Sequence, residues 1–254
     1  MDKIVPISST VHAGKKLLPL SSFAFAAKSN LVPVVASEFA AAARVFPLVF
    51  HKPKDEVGVF SLLGLLNQTN LFVDTNGRWL ADYIPATFRR YPFVIAKAPE
   101  KENGEDKFIL CIDESSGLLS DEKGVPLFDD KGEANKLLKN AMAFVTEYQR
   151  GAAASEAFCQ EMERLELLSP LKIGFKNNQN KDINMGGLLH IDEKKLNALD
   201  DEEFAALRKK GFLPMVYAHL ISLANIASLI QRMKAPVVKP APAPESSVPI
   251  SFNF

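Results

Sequence analysis

The stretch that decides the fold is "NGRWLADYIPATFRRYPFVIA", residues 76–96. Its Asn-Gly step lies between two β-like runs and predicts a hairpin turn, because both residue types tolerate positive φ. The run after the turn places Trp79 and Tyr83 on one face of a strand. The proline of "PATFRR" suits the first turn of a short helix, and Tyr91-Pro92 ends that helix because a residue before proline avoids the α region. The stretch is therefore predicted to form a strand, one helical turn and a second strand.

The same stretch holds the densest set of candidate binding residues, and two interpretations of it are open. In the structural interpretation, aromatic side chains pack the corner while Arg89 and Arg90 cap carbonyls or pair with acidic residues. In the functional interpretation, an arginine forms an anion fork beside an aromatic wall, which suits a carboxylate or a phosphate. The candidate ligand-binding residues are Glu38, Trp79, Tyr83, Arg89, Arg90 and Tyr91.

The composition is that of an ordinary globular protein, with 47% hydrophobic and 24% charged residues among 254. Thirty basic residues balance thirty acidic ones, so the overall charge favours neither nucleic acid nor an anionic membrane as a partner, although a local basic patch is compatible with these totals. The two cysteines, Cys111 and Cys159, are isolated, and no Cys/His cluster has the spacing of a metal site. No cofactor and no metal site are predicted, and Cys111 is expected to be a buried, reduced thiol.

The sequence favours a cytoplasmic location. Residues 14–30 imitate a signal peptide, but Pro19 and two serines break the apolar stretch, and it starts late in the chain. A strand in which Phe23 and Phe25 share a face is predicted there instead. No run approaches the roughly 18 apolar residues of a membrane-spanning helix, so no transmembrane segment is expected.

The order of the predicted elements indicates an α+β fold. Residues 1–130 read as strand-rich with short helical inserts, one of them capped by Ser37, and residues 131–234 as mainly helical. A second hairpin is predicted from "FVIAKA" and "KFILCID", and Gly151 is expected to divide the first long helix into two. Residues 1–234 are predicted to form a single domain, and the Pro/Ala-rich residues 235–254 a flexible tail.

Helix-capping signals organise the C-terminal part of the chain. Asp192 is a predicted N-cap, and Asp200 with Glu203 has the spacing of a capping box. Gly211 suits the end of the helix that this box begins. A final, nearly all-apolar helix is predicted over residues 214–233 and is expected to pack on the core.

The histidines supply only weak catalytic candidates. His219 lies among apolar residues and is expected to be a satisfied core histidine, while His51 ends a strand. His190 and Asp192 share a strand face, which could serve a metal or a proton relay, although helix capping by Asp192 is favoured. An enzyme would need a site assembled in three dimensions, from Glu38, His51 or His219 as the acid/base group and Arg89 as the electrostatic stabiliser.

Several spaced motifs in this chain resemble those of one family. "GRWLADYIPATFRRYPFVIA" is similar to a G-x-W-x-x-x-Y-I-P element that runs into an arginine and a Y-P-F. "VPVVASEFAAAARVFPLVF" upstream, with "PLFDDKGEANKLLKNAMAFV" and the block from "GLLHID" onward, continue the likeness in the same order. On these motifs the chain resembles the bacterial SapC family over nearly its whole length.

This resemblance implies little biochemistry, because it carries no agreed catalytic residues. The family name implies association with a surface layer. Three hypotheses follow: a non-catalytic accessory or binding protein that recognises a peptide or an acidic small ligand, an enzyme, and a surface-layer-associated protein that assembles with itself. A peptide or protein partner fits the first hypothesis and a homo-oligomer the third, in which the tail residues "VPISFNF" add a strand to a sheet edge.

Overall fold

Strands predominate in the N-terminal half of the chain and helices in the C-terminal half, an α+β arrangement, in a computed structural model that describes residues 3–97, 108–176 and 182–234. Tertiary contacts divide these residues into two compact units. The first unit contains residues 3–21 and 87–149, and the second contains residues 22–86 and 150–234. The α+β prediction is confirmed. The single-domain prediction stays a prediction, and the proposed tail lies outside the described residues.

The described residues form eleven strands and eight α-helices. The strands are β1 (Ile4–Pro6), β2 (Lys16–Leu17), β3 (Leu31–Pro33), β4 (Leu48–His51), β5 (Gly58–Leu62), β6 (Phe93–Lys97), β7 (Phe108–Asp113), β8 (Leu119–Ser120), β9 (Val125–Pro126), β10 (Leu168–Lys176) and β11 (Asp182–Ile191). The helices are α1 (Ser9–His12), α2 (Phe39–Ala43), α3 (Ala86–Arg89), α4 (Lys136–Arg164), α5 (Glu193–Asn197), α6 (Asp201–Lys209), α7 (Leu213–Ser222) and α8 (Asn225–Lys234).

The first unit contains two small antiparallel sheets, in the strand orders β1-β7-β6 and β8-β2-β9. The β6–β7 pair is the second hairpin that the sequence predicts, with Phe93 opposite Ile112. Both of these side chains are buried, and they belong to a core completed by residues from β2, from α4 and from the segment before α4: Leu17, Leu127, Phe128, Leu138 and Ala141.

The second unit is built on a five-stranded antiparallel sheet in the order β10-β11-β4-β5-β3. The central strand β4 buries Leu48, Val49 and Phe50 completely. Phe50 packs against Phe158 of α4 and against His219 of α7, with ring centroids 5.9 Å and 5.0 Å apart. Central burial of this kind explains the continuous apolar run "FPLVF" in the sequence.

Helix α7 is fixed to this sheet where β4 and β11 separate. The two strands pair at Leu188–His51 and Leu189–Phe50, so Ile191 and Leu48 would be partners further along the same register. Instead, the Ile191 N–H donates to His219 Nε2 (3.0 Å), and the Leu48 N–H donates to Ser222 Oγ (2.8 Å). Two side chains of α7 therefore satisfy the backbone donors that the sheet leaves unpaired.

Local predictions were wrong at Gly151, at residues 24–26 and at Ser37. Helix α4 continues through Gly151, where a Cβ would lie 3.0 Å from Val35 Cβ, so this glycine allows close packing rather than ending the helix. Residues Ala24–Ala26 form a 3₁₀ turn, not a strand, with Phe23 buried and Phe25 exposed. Ser37 is exposed and lies inside a 3₁₀ turn, Ala36–Glu38, so it does not cap α2.

The predicted N-caps at Asp192 and Asp200 and the helix end at Gly211 are confirmed, but the box at Asp200 is incomplete, because the Glu203 carboxylate accepts from Arg164. Asp192 accepts hydrogen bonds from the N–H groups of Lys194 and Lys195, and Asp200 accepts one from the Glu203 N–H. Gly211 follows the α6 C-cap residue with a φ of 73°. The single final helix of the prediction is instead two helices, α7 and α8, which are separated by a turn at residues 223–224.

The segment Leu213–Lys234 is long and apolar enough, by length and composition alone, to cross a membrane. No such segment was expected from the sequence, in which the polar residues His219, Ser222 and Asn225 interrupt the apolar run. A helix that packs on the core of a globular protein meets the same two criteria, and α7 does contact the sheet through its buried residues His219 and Ser222.

Candidate functional site

Glu38 is a buried carboxylate at the start of α2, with 2% of its surface exposed. Its Oε1 accepts a hydrogen bond from the Val35 N–H (3.1 Å), which lies three residues back along the chain. Its Oε2 accepts hydrogen bonds from the Tyr83 hydroxyl (2.7 Å) and from the Ala86 N–H (2.8 Å). A buried carboxylate needs such donors, because an unpaired charge would be costly in a desolvated position. Glu38 therefore links the residues just before α2 with the segment that leads into α3.

Trp79 and Tyr83 belong to this same cluster. The Trp79 indole Nε1 donates to the Tyr83 backbone carbonyl (2.9 Å), while the Tyr83 side chain reaches Glu38. The Trp79 ring packs against Phe23, Phe46 and Phe72, with centroid distances of 5.6, 6.2 and 6.1 Å. The structural interpretation of Trp79 and Tyr83 as packing anchors therefore has direct support.

The predicted Asn76-Gly77 turn orients Trp79. The Gly77 N–H donates to the Asp74 carbonyl (2.9 Å), and Gly77 has a φ of 78°. The Asp74 carboxylate accepts from the Asn76 N–H and the Arg78 N–H, and Val73 pairs with Trp79 across the turn. The turn is confirmed, but the predicted strand from Trp79 to Tyr83 is wrong, because only the isolated bridge between Val73 and Trp79 forms beside the turn. A Cβ at residue 77 would collide with the Ser22 side chain, so this position requires glycine for two reasons.

Arg89 and Arg90 lie in the first unit, against α4. The Arg89 guanidinium carbon is 5.2 Å from the centre of the Phe144 ring, and that of Arg90 is 5.0 Å from the centre of the Tyr148 ring. The two rings are one helical turn apart and therefore lie on the same face of α4. The Tyr148 hydroxyl also shares a hydrogen bond with the Thr87 hydroxyl (3.0 Å). Two adjacent arginines thus lie over two adjacent rings.

Tyr91 follows directly and is half-buried. Its N–H donates to the Phe88 carbonyl (3.2 Å), and its peptide bond to Pro92 is cis. The Phe93 N–H donates to the Arg90 carbonyl (2.7 Å), so the chain turns immediately from α3 into β6. The sequence prediction that α3 ends before Tyr91-Pro92 is confirmed.

The six candidate residues therefore fall into two groups. Glu38, Trp79 and Tyr83 are brought together in the second unit, whereas Arg89, Arg90 and Tyr91 belong to the first. The assignment of all six to one ligand site stays a prediction.

His219 is not placed for acid/base chemistry near neutral pH. The pKa of this ring is lowered to about 3, first by burial and then by the nearby His190, while the Leu48 backbone acts in the opposite direction. Because Nε2 accepts the Ile191 N–H, the proton of the neutral ring resides on Nδ1. His51 is half-buried, and its Nδ1 lies 2.9 Å from the Gly187 carbonyl. These polar contacts of His219 and His51 are with the backbone rather than with a carboxylate.

Asp192 acts as a helix cap, as the sequence favours. The pKa of its carboxyl is lowered, first by the Lys194 backbone N–H, then by hydrogen bonds from Ser169 and the Lys195 N–H and by the nearby His190. Burial has the opposite effect on this pKa.

The histidine that does lie close to a carboxylate is His12, which the sequence analysis did not single out. It is fully buried in the first unit, and its Nε2 is 3.4 Å from Glu114 Oε1, at ion-pair distance without good hydrogen-bond geometry. Lys3 Nζ is 2.6 Å from the other Glu114 oxygen, and its hydrogen bond is the main cause of the lowered Glu114 pKa. No sequence signal joins positions 12 and 114, because strand pairing of β1 with β7 creates their proximity.

Both cysteines are buried and free, so the reduced state predicted for Cys111 is confirmed. Burial raises the pKa of the Cys111 thiol, and it raises that of Cys159 to about 12 with help from the charges of Glu163 and Glu156. Neither thiol has the electropositive surroundings of a reactive cysteine. Within the described ranges, no three His, Cys, Asp or Glu residues are grouped as ligands for a metal ion.

The motifs quoted above are matched by one protein-family model. The model of the SapC family matches residues 7–229. No curated protein and no solved structure matches the chain. Because the match covers both described units and most of the 254 residues, the chain belongs to the SapC family.

Proposed function

We propose that this protein is a non-catalytic accessory or binding protein that recognises the carboxylate of a peptide or of an acidic small ligand through Arg89 and Arg90. The observation that carries the proposal is the position of both guanidinium groups over the rings of Phe144 and Tyr148. Neighbouring arginines held in this way offer planar sets of donors, which suit a carboxylate.

The ring contacts matter because they lower the entropic cost of binding. An exposed arginine loses rotamer freedom when it engages a ligand, but a guanidinium already held over a ring has lost part of that freedom. Each cation–π contact contributes roughly 0.5–1 kcal/mol at a partly exposed site. Arg89 and Arg90 are both half-buried, which suits a group that must be held and still reach a ligand.

The contacts of the acid/base candidates favour this proposal over an enzyme. Glu38 is occupied by three hydrogen-bond donors, and His219 has a pKa far below neutrality. An enzyme that used Glu38, His51 or His219 with Arg89 would need one of these groups to be available to substrate. The surface-layer hypothesis rests on the family name and on a tail that lies outside the described residues.

Calorimetric titration with acetate, succinate, glutamate and a short peptide ending in aspartate tests the proposal. We expect saturable binding to at least one of these ligands and a loss of affinity of about tenfold or more in Arg90→Gln. Arg90→Lys retains the charge but not the planar donors, so it should also bind more weakly. The matched control is Arg44→Gln, at an exposed arginine of the second unit.

Two results would overturn the proposal. One is the absence of any carboxylate binding by the folded wild-type protein. The other is equal binding by wild type, Arg89→Gln and Arg90→Gln, which would leave both arginines as folding contacts of α4.

A further inference from the structure

The outer face of α7 is apolar and exposed. Tyr217 and Ile221 lie four residues apart on this face, with 47% and 72% of their surfaces exposed. Pro214 and Ala224 are exposed at neighbouring positions of the same stripe. Ile221 is the most exposed large hydrophobic residue in the described part of the chain.

This helix cannot turn its apolar face inward. His219 and Ser222 on the opposite side hold two backbone donors of the sheet, and both are fully buried. Rotation of α7 to cover Ile221 would leave those donors unpaired. The exposure of Tyr217 and Ile221 is therefore a fixed property of the fold.

The charged residues that flank α7 most closely in the chain are basic, although α6 begins with the acidic residues Asp201, Glu202 and Glu203. Between Phe204 and Lys234 the sequence contains five basic residues and no acidic residue. All five are exposed at the two ends of the α7–α8 segment: Arg208, Lys209, Lys210, Arg232 and Lys234. Lys210 pairs with Glu161, and Arg232 lies over the Phe72 ring. For Arg208, Lys209 and Lys234 the described ranges contain no ion pair.

We propose that the outer face of α7 docks on an anionic lipid surface. An amphipathic helix that lies in a membrane interface combines an apolar face with flanking Lys and Arg side chains. Tyr217 and Ile221 would enter the boundary of the acyl chains, while Arg208, Lys209 and Lys234 would contact lipid phosphates. The helix lies along the surface in this arrangement, because its buried face remains on the protein sheet.

Vesicle flotation of the full-length protein tests the proposal. We expect flotation with vesicles that contain phosphatidylglycerol, little flotation with phosphatidylcholine alone, and a loss of binding at high salt. Ile221→Ser combined with Tyr217→Ser should reduce partitioning by about tenfold or more, since two apolar anchors are lost. The double variant Arg208→Gln/Lys209→Gln should weaken the preference for vesicles that contain anionic lipid and leave the rest of the vesicle binding unchanged.

The control is Val11→Ser, which changes an exposed apolar residue of the first unit that is 64% exposed. Near-ultraviolet circular dichroism establishes that each variant is folded. The proposal is overturned if wild type does not float with phosphatidylglycerol vesicles, or if the Tyr217/Ile221 variant floats equally well. It is also overturned if wild type is a dimer that these substitutions convert to a monomer without any vesicle binding, because the face would then cover a second copy of the chain.

Discussion

Replacement of Glu38 by glutamine should destabilise the second unit strongly, although the two side chains have nearly the same shape. Glutamine presents an NH₂ group in place of one carboxylate oxygen. If that group occupies the Oε2 position, it faces the Ala86 N–H and the Tyr83 hydroxyl, both of which now donate to Oε2. The hydroxyl can rotate and accept instead, but the backbone N–H cannot.

The expected loss in the free energy of unfolding follows from these contacts. One buried backbone donor without an acceptor costs about 1–3 kcal/mol, and the loss of charge assistance from the remaining bonds adds about 1 kcal/mol. We therefore expect Glu38→Gln to lower the free energy of unfolding by about 2–4 kcal/mol. Tyr83→Phe removes only one donor to a charged acceptor and should cost about 1.5–3 kcal/mol.

Urea unfolding followed by tryptophan fluorescence measures the effect, because Trp79 is the sole tryptophan and belongs to the same cluster. Glu56→Gln, at an exposed loop position, is the matched control and should change stability by less than about 0.5 kcal/mol. In the double variant of Glu38 and Tyr83 the two losses should be less than additive, because both remove the same bond. A loss below about 0.5 kcal/mol in Glu38→Gln would refute the role of Glu38 as a structural tie.

Three further predictions concern buried groups. Ser222→Ala leaves the Leu48 N–H without its acceptor and should lower the free energy of unfolding by about 1–3 kcal/mol in urea unfolding. Stability should fall as the pH decreases from about 6.5 toward 3, because unfolded His219 binds a proton that the folded ring, with a pKa of about 3, does not. This contribution is constant above about 6.5, and thermal unfolding at several pH values measures its slope. Cys111 and Cys159 should both react with a thiol reagent only after denaturation, as a colorimetric thiol assay would record.

A different result would contradict each of these three predictions. Ser228→Ala, on the exposed side of α8, should leave the free energy of unfolding unchanged. If Ser228→Ala lowers this free energy as much as Ser222→Ala does, the loss in Ser222→Ala does not come from the Leu48 hydrogen bond. His219→Gln should abolish the slope between pH 6.5 and 5, and an unchanged slope would assign it to another group. Rapid reaction of either thiol in the native protein would contradict its burial.

Elements with short-range signals were predictable from the sequence. The Asn76-Gly77 turn, the N-cap at Asp192 and the helix end at Gly211 depend on residues within a few positions of one another, so local rules find them. The α+β order of elements follows from the change of hydrophobic period along the chain.

Features created by distant contacts were not predictable. Gly151 reads as a helix breaker, but its missing Cβ makes room for Val35, more than a hundred residues earlier in the chain. His219 and Ser222 were expected only to be buried, whereas their function of satisfying β4 and β11 depends on strand pairing that no local pattern encodes.

The candidate site also combines features that the sequence predicts with contacts that only the fold creates. The aromatic and arginine residues of the "NGRWLADYIPATFRRYPFVIA" stretch were recognisable from their composition. The acceptor role of Glu38 and the rings beneath Arg89 and Arg90 come from segments 45 to 58 residues away. Composition identifies which residues can bind an anion, and only the fold determines which of them are occupied by the protein itself.

Nitrogen-detected or proton-detected NMR of the arginine side chains tests the proposed carboxylate recognition most directly. During titration with succinate and with an aspartate-terminated peptide, the Nε–Hε signals of Arg89 and Arg90 should shift saturably. The signal of the exposed Arg44 should remain in place. Signals of Arg89 and Arg90 that do not move, or that move no more than that of Arg44, would contradict the account.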